Sequence, residues 1–314
     1  MKKKIWLVGS GEMAQDYIKV LKALDCDFDV IGRGIESARK CEGATGCLVV
    51  AGGLEQFLLT KPTPCSHAIV SVGVEALAST TLQLINYGIP NLLVEKPAGL
   101  NLCEVEQIAR ISKEKGANVF VAYNRRFYAS VIKAQEIIEQ DGGVTSFNFE
   151  FTEWAHVVEA IQKAEGVKEN WFLANSTHVV DLAFYLGGEP KELCAFTAGS
   201  LSWHPRSSIF SGAGISETGA LFSYQANWES AGRWSVEMLT KNHRLILRPM
   251  EKLQIQKKGS VAVEFVECDL KLNEEFKPGL FLQTKEFISD LSGRMCHVEY
   301  HLGMMNIYNK IANY

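Results

Sequence analysis

The sequence has 314 residues, 47% of them hydrophobic and 22% charged, with 32 basic and 36 acidic side chains and a net charge of -4. That length suits two domains, each with a core of its own, and the slightly acidic balance gives no electrostatic footing for nucleic acid. A small-molecule substrate is the expectation, with neither nucleic acid nor membrane as partner.

After "MKKK" the apolar run "IWLV" stops at Gly9, too short for the core of a secretory signal, and no later segment has the length of a membrane span. From Lys4 to about Tyr123, β-rich runs alternate with helix-length amphipathic segments: "IWLVG", "FDVIG", "CLVVA", "HAIVSV", "NLLVE" and "NVFVAY". Continuously apolar strands separated by helices predict a doubly wound parallel sheet covered on both faces. The segment "NLCEVEQIARISKEKG" predicts a helix with Asn101 as N-cap, Glu104 in the capping-box position and Gly116 as its stop.

A helix over 129–140 follows, and Gly142-Gly143 marks a turn after which the period changes. In "SFNFEF" strict alternation places Phe147, Phe149 and Phe151 on one face. Similar runs in "ALFSYQANW", "RWSVEMLT", "RLILRP", "KLQIQ" and "VAVEFVE" predict a large, mostly antiparallel sheet, with Lys241-Asn242 as the turn between two of its strands. Helices over 282–291 and 297–312 close the chain. The expected organisation is therefore α/β: an N-terminal Rossmann domain over 1–122, then an α+β domain over 123–314 with an open-faced sheet. An exposed sheet face predicts homo-oligomers meeting through it. Eight cysteines without a CxxC pair read as reduced thiols of a cytoplasmic protein.

Between the first strand and first helix, Gly9, Gly11 and Ala14 form G-x-G-x-x-A. The glycines permit a tight turn and close approach of a pyrophosphate, and the helix N-terminus, with Glu12 and Met13, would receive it. A domain selecting NAD usually ends its second strand in Asp or Glu; here Gly32 stands there, followed by Arg33. With Ser37 and Arg39 nearby, this pattern favours NADP(H) over NAD(H), the rival reading of Arg33 being an ordinary solvated loop arginine. Glu95, Lys96 and Pro97 end the fifth strand, where ligands of doubly wound sheets bind.

In "FLANSTHVVDLAFYLGG" a polar run ending in His178 opens an otherwise apolar helix, and His178, Asp181 and Tyr185 share one stripe. The G-x-G-x-x-A start, the E-K-P triplet, "AYNRRF" and this H-x-x-D helix together resemble the glucose-fructose oxidoreductase, inositol dehydrogenase and MocA (Gfo/Idh/MocA) family over the whole chain. The resemblance implies that Lys96 orients and polarises the substrate oxygen, that His178 is the acid/base, and that Glu95 and Lys96 adjoin the cofactor. It also departs from the family at one place: Ala174 stands where an aspartate usually precedes the histidine by four residues. That loss weakens alcohol oxidation more than ketone reduction, because a neighbouring carboxylate would raise the basicity of His178.

Asn124, Arg125 and Arg126 lie at the crossing into the second domain, the two arginines being candidates for an anionic substrate group or for interdomain salt bridging. Asn175 is a substrate contact or the N-cap of the histidine helix. Trp154, Trp171 and the loop from Ala226 to Trp234 offer aromatic faces for a sugar, with core packing as the alternative. His297 and His301 share a helix face but lack a third ligand, so no metal site is expected. The expected function is hydride transfer between NADP(H) and a sugar or nucleotide-sugar carbonyl or hydroxyl, in the direction of ketone reduction. Alternatives are a non-sugar substrate and a non-catalytic NADPH-binding regulator.

Overall fold

A computed structural model describes residues 3–314 and divides the chain into two compact units. The first contains β1 (Lys4–Val8), α1 (Glu12–Ala23), β2 (Asp27–Gly32), α2 (Ile35–Thr45), β3 (Val49–Ala51), α3 (Gly53–Leu59), β4 (His67–Val70), α4 (Val74–Tyr87), β5 (Asn91–Glu95), α5 (Leu102–Lys115) and β6 (Asn118–Ala122). These six strands are parallel in the order β6-β5-β4-β1-β2-β3, as their apolar runs predict. Ile5, Leu7, Ile69, Leu92, Leu93 and Val119 are fully buried between the helical layers. The α5 caps form as read: Asn101 Oδ1 accepts from the Glu104 amide at 3.1 Å, Glu104 Oε2 accepts from the Leu100 amide at 2.7 Å, and Gly116 turns left-handed at φ 67°.

The second unit runs from Arg125 to Glu274 and resumes at Met304. After a 3₁₀ turn over Asn124–Phe127 come α6 (Ala129–Gln140), β7 (Val144–Glu150), α7 (Ala155–Ala160), a π-helical turn over Phe172–Ser176 and α8 (Thr177–Gly187). Seven strands follow: β8 (Pro190–Ala198), β9 (Ile209–Ser216), β10 (Leu221–Asn227), β11 (Ser235–Thr240), β12 (His243–Leu247), β13 (Gln254–Lys257) and β14 (Val263–Phe265), then α9 (Lys271–Glu275). The sheet order is β14-β13-β12-β11-β7-β10-β9-β8, antiparallel except for the β7–β10 pair. Its inner face is aromatic. Phe184 of α8 lies edge-on against Phe147, Phe149 and Phe222, with ring centroids 6.0, 5.6 and 5.1 Å away, while Phe149 stacks on Tyr224 at 5.3 Å. Gly187 lets the helix end approach the sheet, since a Cβ there would stand 2.4 Å from the Phe147 ring.

The expected assignment of everything beyond residue 122 to the second domain is corrected by residues Glu275–Gly303, which return to the first unit. There α10 (Leu280–Ile288) packs on α1, and its Phe287 ring meets His67 at 5.0 Å. Then β15 (Cys296–His297) adds an antiparallel edge to β6 and leads into α11 (Val298–Ala312). Alternation within the second half gave no hint of this return, because covering α1 and the β6 edge is a long-range requirement of the first unit. Two strands also lie outside the sequence expectation, β8 and the glycine-bearing β9. No helix among the described residues is long and apolar enough to cross a membrane.

Because Phe149 is buried between α8 and Tyr224, Phe149→Ala is expected to lower unfolding free energy by about 3–5 kcal/mol. Urea denaturation followed by far-UV circular dichroism would measure it.

Candidate functional site

In the first unit, a cleft of about 620 Å³ opens beyond the carboxyl ends of β1, β2 and β4. Gly9, Gly11, Glu12, Met13, Arg33 and Ser37 all line it. Gly9 has φ 134°, its amide donates to the Ile31 carbonyl at 2.8 Å, and a Cβ on it would lie 2.1 Å from the Ser71 carbonyl oxygen. Only glycine fits that crossing. Gly11 is the N-cap of α1 and has no side-chain cap, and a Cβ there would meet nothing within 4 Å. Uncapped amides and the positive end of the helix dipole thus face open space, the arrangement a pyrophosphate requires.

At the end of β2, Gly32 is constrained by packing: a Cβ would stand 2.9 Å from both Ser10 Oγ and Val49 Cγ1. Arg33 is exposed at the cleft, beside Gly53 at the start of α3. Ser10 Oγ donates to Ser37 Oγ at 3.1 Å, and Ser37 Oγ donates to the Gly34 carbonyl at 3.0 Å. Arg39 is not brought to the cleft; α2 begins at Ile35, so Arg39 sits a full turn beyond its N-terminus and is exposed.

Glu95 and Lys96 stand at the carboxyl end of β5, outside the lining of this cleft. The Glu95 carboxylate accepts from the buried Tyr17 hydroxyl at 2.8 Å, and burial pushes its pKa above the usual carboxylate value while that hydrogen bond pulls it down. Its observed role is to tie β5 to α1. The Lys96–Pro97 peptide is cis, and the buried His301 donates through Nε2 to the Pro97 carbonyl at 2.9 Å. His301 thereby holds the turn that carries Lys96. His297 ends β15 rather than joining His301 on α11, so the helix face expected for the two histidines does not form; it pairs with Glu299, and no group of three or more possible metal ligands occurs among the described residues. Asn124 is buried and donates to the Pro278 carbonyl at 2.9 Å, so its amide serves the first unit's own packing.

In the second unit, the helix bearing His178 does not start at an asparagine cap. It runs continuously from Trp171 through the π-helical turn into α8, and Asn175 lies inside that turn. The N-cap reading of Asn175 is therefore replaced: its Nδ2 donates to Glu153 Oε1 at 2.9 Å, and Ser176 Oγ donates to the same oxygen at 2.8 Å. Glu153, 2% exposed, also lies 3.4 Å from Arg233 Nη1. A carboxylate absent at Ala174 is thus supplied to the same turn from beyond the end of β7. Glu153 carries no part in the sequence reading, and Arg233 enters it only within the loop from Ala226 to Trp234, yet Glu153 continues the inward series Phe147, Phe149, Phe151. A glutamate on an inward register was the legible signal.

The stripe on α8 finds its partner in Arg126. Arg126 Nε and Nη2 reach the two Asp181 oxygens at 2.9 and 2.5 Å, and the guanidinium carbon lies 4.6 Å from the centre of the Tyr185 ring. Both members of the pair are buried. Arg126, read as a candidate for substrate or for an interdomain salt bridge, instead pairs within its own unit and anchors α8. Arg125 is half-buried, with its guanidinium 4.8 Å from the Trp234 ring centre. His178 is 8% exposed, and its ring centroid is 6.3 Å from that of Trp234. Trp154 is 49% exposed and donates to the Gly232 carbonyl, whereas Trp171 is buried edge-on against Trp203 and reads as core.

The π turn has its own anchor. The Phe172 amide donates to the Tyr314 hydroxyl oxygen at 3.2 Å, and that hydroxyl lies 2.6 Å from His204 Nε2. His204 Nδ1 donates to the Ser207 carbonyl, and burial lowers the His204 pKa. A neutral ring with its proton on Nδ1 makes Nε2 the acceptor for the Tyr314 O–H.

No family model matches the sequence, and no curated protein does. Solved structures match it over their whole length. UDP-N-acetylglucosamine 3-dehydrogenase from Acidithiobacillus ferrooxidans superposes with TM-score 0.76 at 11% identity, over 100% of this chain and 97% of that one. Levoglucosan dehydrogenase in complex with NADH gives TM-score 0.80 at 15% identity, over 100% and 96%. A dehydrogenase, MviM, from Clostridium difficile gives 0.79 at 17% identity, over 100% and 99%. The chain shares their fold. At such identities the likeness is one of architecture, and the chemistry has to be argued from the residues.

Removing Arg126 from the buried pair strands Asp181, so Arg126→Met is expected to cost about 3–5 kcal/mol of stability, read as a lowered midpoint in urea. Tyr314→Phe leaves the Phe172 amide and His204 without their shared hydroxyl; a loss of about 1–3 kcal/mol is expected by the same measurement.

Proposed function

We propose that this chain is an oxidoreductase of the Gfo/Idh/MocA type that transfers hydride between NADP(H) and a carbonyl or hydroxyl carbon of a sugar or nucleotide sugar. The observation that carries the reading is the first-unit cleft, in which Gly11 leaves the uncapped N-terminus of α1 open to a pyrophosphate. The dehydrogenase neighbours support it, one of them solved with NADH. When bound, the nicotinamide would supply or accept the hydride; the chain supplies binding, orientation and the proton.

NADP(H) is the proposed cofactor because of the end of β2. Gly32 offers no carboxylate to a ribose 2′-hydroxyl, and a side chain there would have to displace Ser10 Oγ and Val49 Cγ1, each 2.9 Å from its Cβ. Arg33 lies exposed in the cleft lining, where a 2′-phosphate would meet it. One charge-assisted contact of about 1.5–3 kcal/mol corresponds to roughly ten- to hundred-fold selectivity.

Lys96, held at its turn by His301, is the proposed stabiliser of negative charge on the substrate oxygen. His178 is the proposed group that gives that oxygen its proton in reduction, or takes it in oxidation. Reduction of a ketone is the proposed direction. Glu153, the carboxylate brought to the turn before His178, is already shared among Asn175, Ser176 and Arg233, which limits its support for a basic His178. The open sheet face exposes Phe196 and Leu221, and a second copy of the chain is its proposed cover. Eight free cysteines, three of them buried, suit a cytoplasmic protein. Ala174 favours a second reading, a regulator that binds NADPH and transfers no hydride.

Titration with NADPH and NADH, followed by nicotinamide fluorescence, should show tighter binding of NADPH, with the preference lost in Arg33→Ala; equal or stronger binding of NADH overturns the cofactor assignment. Hydride transfer across a keto-sugar panel, abolished in both Lys96→Ala and His178→Ala, would exclude the regulator. Binding without transfer to any carbonyl would establish it.

A further inference from the structure

Two guanidinium groups of the second unit converge on one indole. The guanidinium carbon of Arg125 lies 4.8 Å from the Trp234 ring centre, and that of Arg233 lies 4.7 Å from it. Arg233 is also 4.8 Å from the centre of Trp154, and the Trp234 ring is the neighbour of the His178 ring. Two tryptophans and two arginines thus gather beside the proposed acid/base, in a chain whose net charge is -4.

The nearby carboxylates do not turn this surface negative. Glu153 is the only acidic side chain in ion-pair contact with Arg233 among the described residues, and it is buried with two further donors on it. Burial most of all, and the neighbouring Arg233 charge, push the Arg125 pKa below its ordinary value against the opposing pull of Tyr128, Glu251 and Glu153. The next arginine, Arg126, is committed to Asp181. A guanidinium resting on an aromatic face is shed of water on that side, while its N–H donors project in its own plane, the geometry that grips carboxylate or phosphate oxygens in pairs. Indole faces beside it suit the C–H face of a sugar ring.

We propose that Arg125 and Arg233, on Trp234 beside His178, form a subsite for an anionic substituent of the sugar, either a carboxylate or a phosphate ester. The inference rests on the oxidoreductase reading for its sugar, and on the residues themselves for its charge. It divides the substrate class: neutral sugars lack the group that the two arginines hold.

The test uses full-length protein saturated with NADPH. Binding of glucose, glucuronate, glucose 6-phosphate and UDP-glucose is measured by calorimetry, and hydride transfer is assayed separately with NADP and each sugar. At least one charged sugar should bind about tenfold or more tightly than glucose, and Arg125→Gln and Arg233→Gln should each remove that advantage. The tightest arm tells carboxylate from phosphate monoester from diphosphate. Arg233 is half-exposed, so its variant tests the subsite even where Arg125→Gln does not fold. Glucose binding as tightly as all three, no binding of any, or an advantage that persists in Arg233→Gln overturns the proposal. Charged sugars that bind in this pattern but exchange no hydride, in a panel extended to keto-sugars, would sink the oxidoreductase reading and leave the subsite standing. Turnover of glucose without preference for charge would do the reverse.

Discussion

The buried pair between Arg126 and Asp181 sets the orientation of α8, the helix that carries His178. A carboxylate in the middle of an apolar helix is tolerable only with a full hydrogen-bonding partner, and the bidentate guanidinium is one. Because Asp181 lies three residues after His178, fixing it fixes the rotation of α8 about its axis and so the direction of the histidine. The aromatic face of the sheet sets how closely the helix approaches, through Phe184 and the bare Gly187. The π-helical turn ahead of α8 then has to be accommodated. Glu153 below Asn175 and Ser176, and Tyr314 on the Phe172 amide, hold it from two sides. An extra residue in a helix is a strained local solution, and such turns recur where a side chain must be re-aimed.

The first unit reaches its geometry mainly by omission of side chains. At Gly9 the backbone comes so close to Ser71 that no Cβ would fit, at Gly32 a Cβ would press on the Ser10 and Val49 side chains, and at Gly11 the space is left open. The same residue type therefore marks two close crossings and one vacancy, and only the coordinates separate them. The recurrent G-x-G spacing was readable, but its division of labour was not.

The doubly wound sheet was legible because each parallel strand is buried on both faces and reads as an unbroken apolar run. The aromatic alternation of β7 and β10 was legible for the complementary reason, one face packed and the other open. In β9, "IFSGAGIS" looks like a loop; its glycines are there because a Cβ on Gly212 would stand 2.4 Å from the Tyr224 ring opposite, and one on Gly214 2.6 Å from Phe222. Local sequence cannot report a demand made by the next strand. The same holds for the site. Gly11, Arg33 and His178 sit in short motifs that announce themselves, whereas Arg126, Arg233 and Glu153 owe their positions to contacts made across many residues of intervening chain.

The return of residues Glu275–Gly303 to the first unit also bears on how the protein is made. On the ribosome the first six strands emerge early, yet the β6 edge lacks β15, and α1 lacks α10, until nearly the whole chain has been synthesised. The nascent first unit therefore waits, with an unpaired strand edge exposed, while the entire eight-stranded sheet is translated. Neither unit is a continuous piece of chain that a domain shuffle could lift out intact, and a ribosome stalled after Asn124 would release an incomplete Rossmann unit for chaperones to hold.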